Sequence, residues 1–270
     1  MRIVFLTDNI EKDDIKGEWG LSVYIEYEGH RILLDAGQSD LFLKNAEKLG
    51  VDISSVDTAV LSHAHYDHAD GFLKFFESNK EALLYVRNST DENCYKKLKF
   101  FHKYIGIEKG LLSLYMDRIR YVEGVKELFK GCFLAGHTTN NLSELGKREK
   151  MYRRCKNKWI VDDFSHEQSL FFDTEKGLVI FNSCCHGGAY NVVNEVKELF
   201  GDKEVYAIIG GFHLFNKSSS EIETFVKALT DTGVKKVITG HCTGERAFGI
   251  IKESLGEKAE LIHSGLSLEI

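Results

Sequence analysis

The sequence predicts a layered α/β sandwich, in which helices cover β-sheets. Short β-branched runs alternate along the chain with segments of helical periodicity. The 270 residues include 43% hydrophobic ones, so the chain can bury a large core. In addition, the segments "DTAVLSHAH" and "KKVITGHCTG" both run from a strand through a small polar residue to a histidine. This coarse symmetry indicates two related halves that meet at one site.

The predicted elements follow from these periodicities, taken in chain order. Strands are expected at residues 2–6, 21–27, 31–36, 57–62, 82–86, 169–173, 178–183, 205–211 and 235–240. Helices are expected at residues 39–50, 191–201, 219–233 and 244–256. No low-complexity linker divides the chain, so residues 1–270 are expected to form a single domain.

Composition excludes several classes of partner. The chain carries 35 basic and 41 acidic residues, a formal charge of −6, so no overall positive field favours nucleic acid or an anionic membrane. The N-terminus turns acidic after one short apolar run, unlike a signal peptide, and no later run approaches the roughly 18 apolar residues of a membrane span. We therefore expect a cytoplasmic protein with a small-molecule substrate. Its six cysteines lack paired spacing, which favours thiols or a metal ligand over disulfides.

The stretch "VLSHAHYDHADG" concentrates titratable side chains directly behind an apolar run. His63, His65, Asp67 and His68 lie within six positions at the exit of a predicted strand. Imidazole and carboxylate ligands suit zinc, manganese or iron, whereas calcium and magnesium prefer oxygen alone. A histidine-rich surface loop, or residues that cap the next helix, is the alternative interpretation. The spacing favours a dinuclear metal site.

These residues carry a family resemblance. "SHAHYDH" resembles the signature of the metallo-β-lactamase superfamily, whose fold is a four-layer αββα sandwich with a two-metal site. "TDNI", "LLDAG", "DDFSHEQSLFFD", "SCCHGG", "IIGGFHL" and "TGHCTG" further resemble the branch that contains the archaeal dihydropterin ribofuranosylaminobenzene phosphate synthase and its bacterial relatives. The resemblance covers most of the chain except roughly residues 88–160.

The resemblance implies a ligand set. His63 and His65 would hold the first metal ion, Asp67 and His68 the second, and His241 would complete the second ion's shell. His186 in "SCCHGG" would complete the first. Ser183 and Cys185 replace the usual Gly and Ser of that motif. Some superfamily lactamases have a cysteine ligand after the corresponding strand, so Cys184 is a competing thiolate ligand, with a buried free thiol as the alternative interpretation. His166 is a further alternative. The implied cofactors are two divalent transition-metal ions, zinc above all, with manganese or iron as alternatives.

The sequence also indicates roles for polar residues other than these metal ligands. Asp35 in "LLDAG" matches the aspartate that orients the metal loop through hydrogen bonds. His213 follows two glycines after a buried strand, so a contact to the substrate or to the ligands is favoured, and Asp67 and His213 are the expected catalytic residues. His137 is not assigned as a ligand. The remaining histidines, which are expected on the surface or in the core, are His30, His102 and His263.

The unmatched middle of the chain, roughly residues 88–160, is expected to form an inserted cap that selects the substrate. A basic cluster, "GKREKMYRRCKNK", lies near its end. In a branch linked to phosphorylated substrates, Arg153 and Arg154 could receive a phosphate, together with Lys147 and Arg148. A solvated loop is the alternative interpretation.

The expected activity follows from the ions. Two metal ions lower the pKa of a bridging water towards neutrality and polarise a carbonyl or phosphoryl oxygen. We therefore expect a metal-dependent hydrolase, or a dihydropterin-type transferase whose metals hold a diphosphate leaving group, with a small and possibly phosphorylated substrate. A di-iron redox protein and a non-catalytic metal-binding module are the alternatives. The superfamily's redox flavoproteins carry a glutamate where His65 stands and append a flavodoxin domain, and this chain has neither feature.

Overall fold

The computed structural model describes residues 1–201 and 203–270. The chain forms two compact units, and its description as a single domain stays a prediction. Unit 1 comprises Met1–Glu123, Asn140–Gln168 and His263–Ile270, and unit 2 comprises Gly124–Thr139 and Ser169–Ile262. Each unit has its own large β-sheet and its own hydrophobic core.

The strands, in chain order, are β1 (Arg2–Thr7), β2 (Ser22–Tyr27), β3 (His30–Leu34), β4 (Thr58–Val60), β5 (Leu83–Arg87), β6 (Tyr95–Lys97), β7 (His102–Tyr104), β8 (Ile119–Val122), β9 (Val125–Phe129), β10 (Cys132–Gly136), β11 (Met151–Cys155), β12 (Lys158–Val161), β13 (Gln168–Thr174), β14 (Gly177–Phe181), β15 (Val205–Gly210), β16 (Lys236–Thr239), β17 (Ala259–Leu261) and β18 (Ser267–Glu269). The α-helices are α1 (Leu41–Lys48), α2 (Tyr66–Ala69), α3 (Phe72–Ser78), α4 (Leu111–Leu114), α5 (Leu142–Glu149), α6 (Ala189–Leu199), α7 (Ser219–Asp231) and α8 (Glu245–Leu255). Short 3₁₀ turns cover Ile53–Ser55, Met116–Arg118, His241–Thr243 and Gly256–Lys258.

Unit 1 is built on a seven-stranded sheet in the order β18-β1-β2-β3-β4-β5-β8. β1, β2 and β3 pair antiparallel, whereas β3, β4, β5 and β8 pair parallel. The core beside this sheet combines aliphatic side chains with four phenylalanines that α1 and α3 bury, Phe42, Phe72, Phe75 and Phe76. Burial of such large side chains supplies the main driving force for this packing.

A second, four-stranded sheet of unit 1 has the order β12-β11-β6-β7. It lies within the segment predicted as a cap. Other strands of that segment pair elsewhere, since β8 extends the large sheet of unit 1 and β9 and β10 belong to the sheet of unit 2. A cap would therefore consist of the small sheet and its flanking helices α4 and α5, and its role as a lid stays a prediction.

Unit 2 is built on a seven-stranded sheet in the order β17-β16-β15-β14-β13-β10-β9. β14, β15, β16 and β17 pair parallel, which requires the crossover helices α6, α7 and α8 between them. These helices bury an aliphatic stripe in the core of the unit, made by Val192, Val196, Ile222, Val226 and Ile251. A side-chain capping box at Ser218 and Glu221 fixes the start of α7.

The mixed α/β architecture with several sheets confirms the predicted fold class. Each of the nine predicted strands and four predicted helices has a counterpart, with ends that differ by a few residues. Among residues 1–201 and 203–270, no helix is both long enough and apolar enough to cross a membrane.

Candidate metal centre

The histidine-rich stretch lies at one edge of the unit 1 sheet. β3 and β4 pair parallel, so the chain leaves both strands at the same edge, Asp35 directly after β3 and His63 just beyond β4. His65 stands immediately before the short helix α2, which carries Asp67 and His68. All three histidines and Asp67 are buried. Loops at the carboxyl ends of parallel strands are common positions for ligand sites.

Asp35 organises this stretch through three hydrogen bonds. Its carboxylate accepts from the Ser62 N–H at 2.7 Å and from the Ser62 hydroxyl at 2.7 Å, and it lies 2.8 Å from Nδ1 of His68. A carboxylate only accepts, so His68 carries its proton on Nδ1. Its Nε2 then presents a lone pair, which is the arrangement that metal-binding histidines adopt.

Ser62 extends the hydrogen-bond network of Asp35 to His63 and fixes its tautomer as well. Its hydroxyl lies 2.8 Å from Nδ1 of His63 while it donates its single proton to Asp35. It must therefore accept from His63, which places the His63 proton on Nδ1 and a lone pair on Nε2. One buried carboxylate thus sets the tautomer of two histidines.

The side chains of this stretch lie close enough to share cations. The ring centre of His63 is 4.6 Å from that of His65 and 4.2 Å from that of His68. Nε2 of His68 is 3.9 Å from the Asp67 carboxylate. Imidazole nitrogens with a carboxylate are donors that zinc, manganese and iron accept. The residues present therefore fit a transition-metal site.

His166 supports the stretch through its hydrogen bonds. Its Nδ1 accepts from the backbone N–H of Ala64 at 3.1 Å, between the two predicted ligands of the first metal ion. Its Nε2 lies 3.2 Å from the Asp162 carboxylate and 3.6 Å from the thiol of Cys94. Burial raises the pKa of Cys94, which keeps that thiol protonated. These contacts give His166 a positioning role, while its ligand atom also lies within 4.8 Å of those of His65 and Cys94, so the alternative of a metal ligand stays a prediction.

Unit 2 presents a second group of metal-binding side chains, again at the carboxyl ends of parallel strands. Cys184 and His186 follow β14, His213 follows β15, and His241 and Cys242 follow β16. The ligand atoms of Cys184, His186 and His213 lie within 4.8 Å of one another, and so do those of Cys184, His241 and Cys242. Both sets could hold a cation.

Cys242 is the member of this group that sequence reasoning missed. Its sulfur lies 3.4 Å from that of Cys184 and accepts from the His213 N–H at 3.3 Å. Burial alone would raise its pKa, but the hydrogen bond with Cys184 and the charges of His241 and His213 bring the pKa of Cys242 well below its usual value. The only signal in the sequence is its place directly after His241 in "TGHCTG".

Backbone strain marks these loops. Asp35, Cys185, His213 and His241 adopt left-handed conformations, with φ of 57°, 47°, 52° and 47°. Such conformations are costly for residues other than glycine and persist where surrounding contacts impose them. In both units they coincide with residues that the sequence had singled out, or with their neighbours.

His137 is held in unit 2 by Glu195. Its Nδ1 lies 3.0 Å from the Glu195 carboxylate, which also accepts from the backbone N–H groups of Thr138 and Thr139. Burial alone would raise the pKa of Glu195, but the hydrogen bond and charge of His137 and the Thr139 donors lower it below its usual value. A Cβ at Gly187 would stand 2.3 Å from the His137 ring, so His137 lies directly against the chain after His186.

The predicted phosphate-binding arginines lie on β11 of the small sheet. The Arg153 guanidinium pairs with Asp91 at 2.9 Å and donates to the carbonyl of Ser89 at 3.1 Å. Arg154 is exposed and lies over the ring of Trp159 at 5.7 Å. Arg153 thus already has a structural partner, whereas Arg154 is placed to meet a solute. Neither contact tests a phosphate role.

The comparisons with known proteins agree with this description. The model of the metallo-β-lactamase superfamily matches residues 20–138. The 7,8-dihydropterin-6-methyl-4-(β-D-ribofuranosyl)-aminobenzene-5'-phosphate synthase of Methanocaldococcus jannaschii is 31% identical over 269 residues, which cover 91% of this chain and 88% of that protein. An uncharacterised protein of the same organism is 27% identical, with 91% of each chain covered. The chain therefore belongs to the metallo-β-lactamase superfamily.

Among solved structures, a metal-dependent hydrolase of the β-lactamase superfamily superposes with a TM-score of 0.85. It is 32% identical, and the alignment covers 100% of this chain and 99% of that one. The similarity confirms the predicted fold family. The two kinds of relative carry different activities in their names, one a synthase and one a hydrolase.

Proposed function

We propose that the protein is a metal-dependent enzyme that acts on a small, phosphorylated or ester-like molecule by hydrolysis or group transfer. The observation that carries the proposal is the Asp35–Ser62 network, which fixes His63 and His68 in the tautomer that leaves a lone pair on Nε2. A surface histidine loop would not need a buried carboxylate to select its tautomers. Family membership supports the same conclusion.

The proposed ligands follow the superfamily pattern. They are His63, His65 and His186 for one ion and Asp67, His68 and His241 for the other. Cys184 remains the alternative to His186, and its nearness to His186 and His213 keeps that alternative open. The ions are two divalent transition metals, with zinc favoured by the nitrogen-rich donor set.

Bound ions would lower the pKa of a water molecule and polarise the substrate's carbonyl or phosphoryl oxygen. The chain's own residues prepare that chemistry. Asp35 fixes the tautomer and the direction of two imidazoles, and His166 fixes the backbone between His63 and His65. We assign Asp67 to the transfer of the nucleophile's proton and His213 to a contact with the substrate. His213 is only partly buried, which suits a residue that meets a solute.

Substrate class is proposed from the relatives and from the small sheet. The synthase relative is named for a phosphorylated product, so a phosphorylated, pterin-like substrate is the first class to test. Arg154 on β11 is the better candidate for a phosphate contact, because Arg153 is paired with Asp91. The membership of Arg153 in a phosphate site stays a prediction. A small-molecule partner is proposed on the same basis, whereas a cytoplasmic location stays an expectation from the sequence.

The test is a substrate screen of the zinc-loaded and manganese-loaded protein against phosphodiesters, phosphomonoesters, thioesters, lactones and pterin diphosphates. We expect turnover of at least one class, with loss of that turnover in His68→Ala. Turnover of a pterin diphosphate only in the presence of an aminobenzene ribotide would assign group transfer, and turnover in water alone would assign hydrolysis. Equal rates for wild type and His68→Ala would contradict the proposal.

A further inference from the structure

Two cysteine sulfurs of unit 2 lie side by side in its interior. Sγ of Cys184 and Sγ of Cys242 are 3.4 Å apart, at side chains that are 3% and 1% exposed. The two residues follow β14 and β16, which flank β15 in the parallel sheet. They are 58 positions apart in the sequence, so the fold alone brings the sulfurs together.

The surrounding backbone is shaped to hold this pair. A Cβ at Gly211 would stand 2.5 Å from Sγ of Cys242, so only glycine leaves room for the thiol. The His213 N–H donates to the same sulfur at 3.3 Å, and the N–H groups of Leu214 and Phe215 donate to the Cys242 carbonyl at 3.0 and 3.2 Å. The loop after β15 therefore wraps Cys242 and fixes the sulfur beside its partner.

The adjacent cysteine is oriented differently. Cys185 is equally buried, but its thiol donates to the Asn182 carbonyl at 3.3 Å, within its own loop. It shares the local sequence and the burial of Cys184, but its thiol is directed to the backbone of Asn182. Cys185 is thus a matched control for any chemistry that belongs to the pair.

We propose that Cys184 and Cys242 form a site of reversible oxidative modification, at which a hydroperoxide converts the two thiols to a disulfide. The peroxide oxidises one thiol to a sulfenic acid and leaves as water or, for an organic peroxide, as the alcohol. The other sulfur then attacks, the S–S bond forms, and the sulfenic oxygen departs as a second water. Two electrons pass from the thiols to one peroxide, and a dithiol reductant reverses the reaction.

Disulfide formation would disturb the neighbouring residue His241. A disulfide requires a sulfur separation of about 2.05 Å, so the two sulfurs must approach each other by more than 1 Å, through rotation of the side chains or movement of their loops. His241 directly precedes Cys242 and already has a strained backbone, with φ of 47°. We therefore expect oxidation to weaken metal binding, an effect that rests on the proposed function, whereas formation of the disulfide does not.

The experiment treats the reduced full-length protein with a few equivalents of hydrogen peroxide, blocks remaining thiols, and maps tryptic peptides by mass spectrometry. Cys242 lies in peptide 237–246, and Cys184 and Cys185 share peptide 177–197. We expect these two peptides to be linked by a disulfide. A thiol titration of the denatured protein should then find two of the six thiols lost, and dithiothreitol should restore both thiols. Cys185→Ser should keep the link, and Cys184→Ser and Cys242→Ser should abolish it.

Three outcomes would overturn the proposal: no linked peptide in the wild type, a link that disappears in Cys185→Ser, or oxidation beyond the sulfenic acid at a single cysteine. If Cys184→Ser or Cys242→Ser fails to fold, as judged by circular dichroism, the wild type and Cys185→Ser still decide. Zinc content before and after oxidation is measured separately. A mapped disulfide with unchanged zinc content would contradict the effect on metal binding, and zinc binding by the reduced protein tests the proposed function independently.

Discussion

At the scale of single residues, Asp35 is the side chain on which the proposed centre depends. It lies 2.8 Å from Nδ1 of His68, and through Ser62 it also decides the tautomer of His63. The sequence could predict this role because the carboxylate follows a strand in a recognisable motif. It could not predict that Cys242 lies beside Cys184 or that Glu195 holds His137, since those contacts join loops that are distant in the chain.

Asp35→Asn tests the role of this carboxylate. The amide keeps the shape, but one of its two terminal atoms is a donor, so it cannot accept all three hydrogen bonds from Ser62 and His68, and the imidazole tautomers are no longer fixed. We expect zinc affinity to fall about 10- to 100-fold, the usual cost of losing a group that orients a metal ligand. Competition with a chromophoric chelator measures it. Asp57→Asn is the control, because that carboxylate is half exposed and bonds to the backbone of Arg31. Equal zinc affinities of the two variants would contradict the role of Asp35 in orienting the metal ligands.

Cobalt substitution distinguishes between His186 and Cys184 as the metal ligand. If His186 is the ligand, His186→Ala loses metal and Cys184→Ser retains it, and the cobalt protein shows no thiolate charge-transfer band. Metal analysis measures the metal that each variant retains, and the near-ultraviolet spectrum of the cobalt protein shows whether the thiolate band is present. A strong band that disappears in Cys184→Ser would reverse the assignment.

At the scale of elements, the sites are built from loops at the carboxyl ends of parallel strands, β3 and β4 in unit 1 and β14, β15 and β16 in unit 2. The apolar runs of these strands are what made them predictable. β6, β7, β11 and β12 escaped prediction because they are rich in lysine, arginine and tyrosine and are not fully buried, so no apolar alternation marks them.

The substitution Gly210→Ala tests the backbone conformation at the end of β15. The φ of Gly210 is 143°, and a Cβ there would lie 2.0 Å from the Asn182 carbonyl oxygen. Gly210→Ala should lower the free energy of unfolding by about 2 to 4 kcal/mol, from backbone strain and overpacking. Gly249→Ala on α8 is the control, since nothing lies within 4 Å of the new Cβ. That variant should gain about 0.5 to 1 kcal/mol. Urea unfolding of both proteins checks the contrast, and a loss at both positions would contradict it.

Glu195 links α6 to the chain just after β10, and it gives unit 2 a pH dependence. The pKa of Glu195 is lower in the folded protein than in the unfolded chain, so its contribution is complete above the unfolded value of about 4.5 and disappears as the pH falls through the folded value. We expect Glu195→Gln to lower the free energy of unfolding at pH 7 by about 1 to 3 kcal/mol. The difference from the wild type should shrink below pH 4.5. Urea titrations at several pH values measure it, and a difference that stays constant with pH would refute the charged pair.

At the scale of the whole molecule, two units with similar parallel sheets each present histidines at the strand ends, as the coarse symmetry of the sequence predicted. Family membership, which the sequence motifs indicated and the comparisons confirmed, limits the chemistry to what the superfamily fold supports. The sequence could not predict the boundary between the two compact units at residues 123 and 124, because β8 and β9 join different sheets there without a composition change.

The central claim is that the chain binds transition-metal ions through the histidine stretch, and metal analysis of the purified protein tests it most directly. After removal of loosely bound ions, elemental analysis should find up to two first-row transition ions per chain, about the number that a dinuclear site holds. The double variant His63→Ala/His68→Ala should lose most of them, while His30→Ala, at an exposed position of β3, should retain them. Full metal occupancy in the double variant would contradict the account.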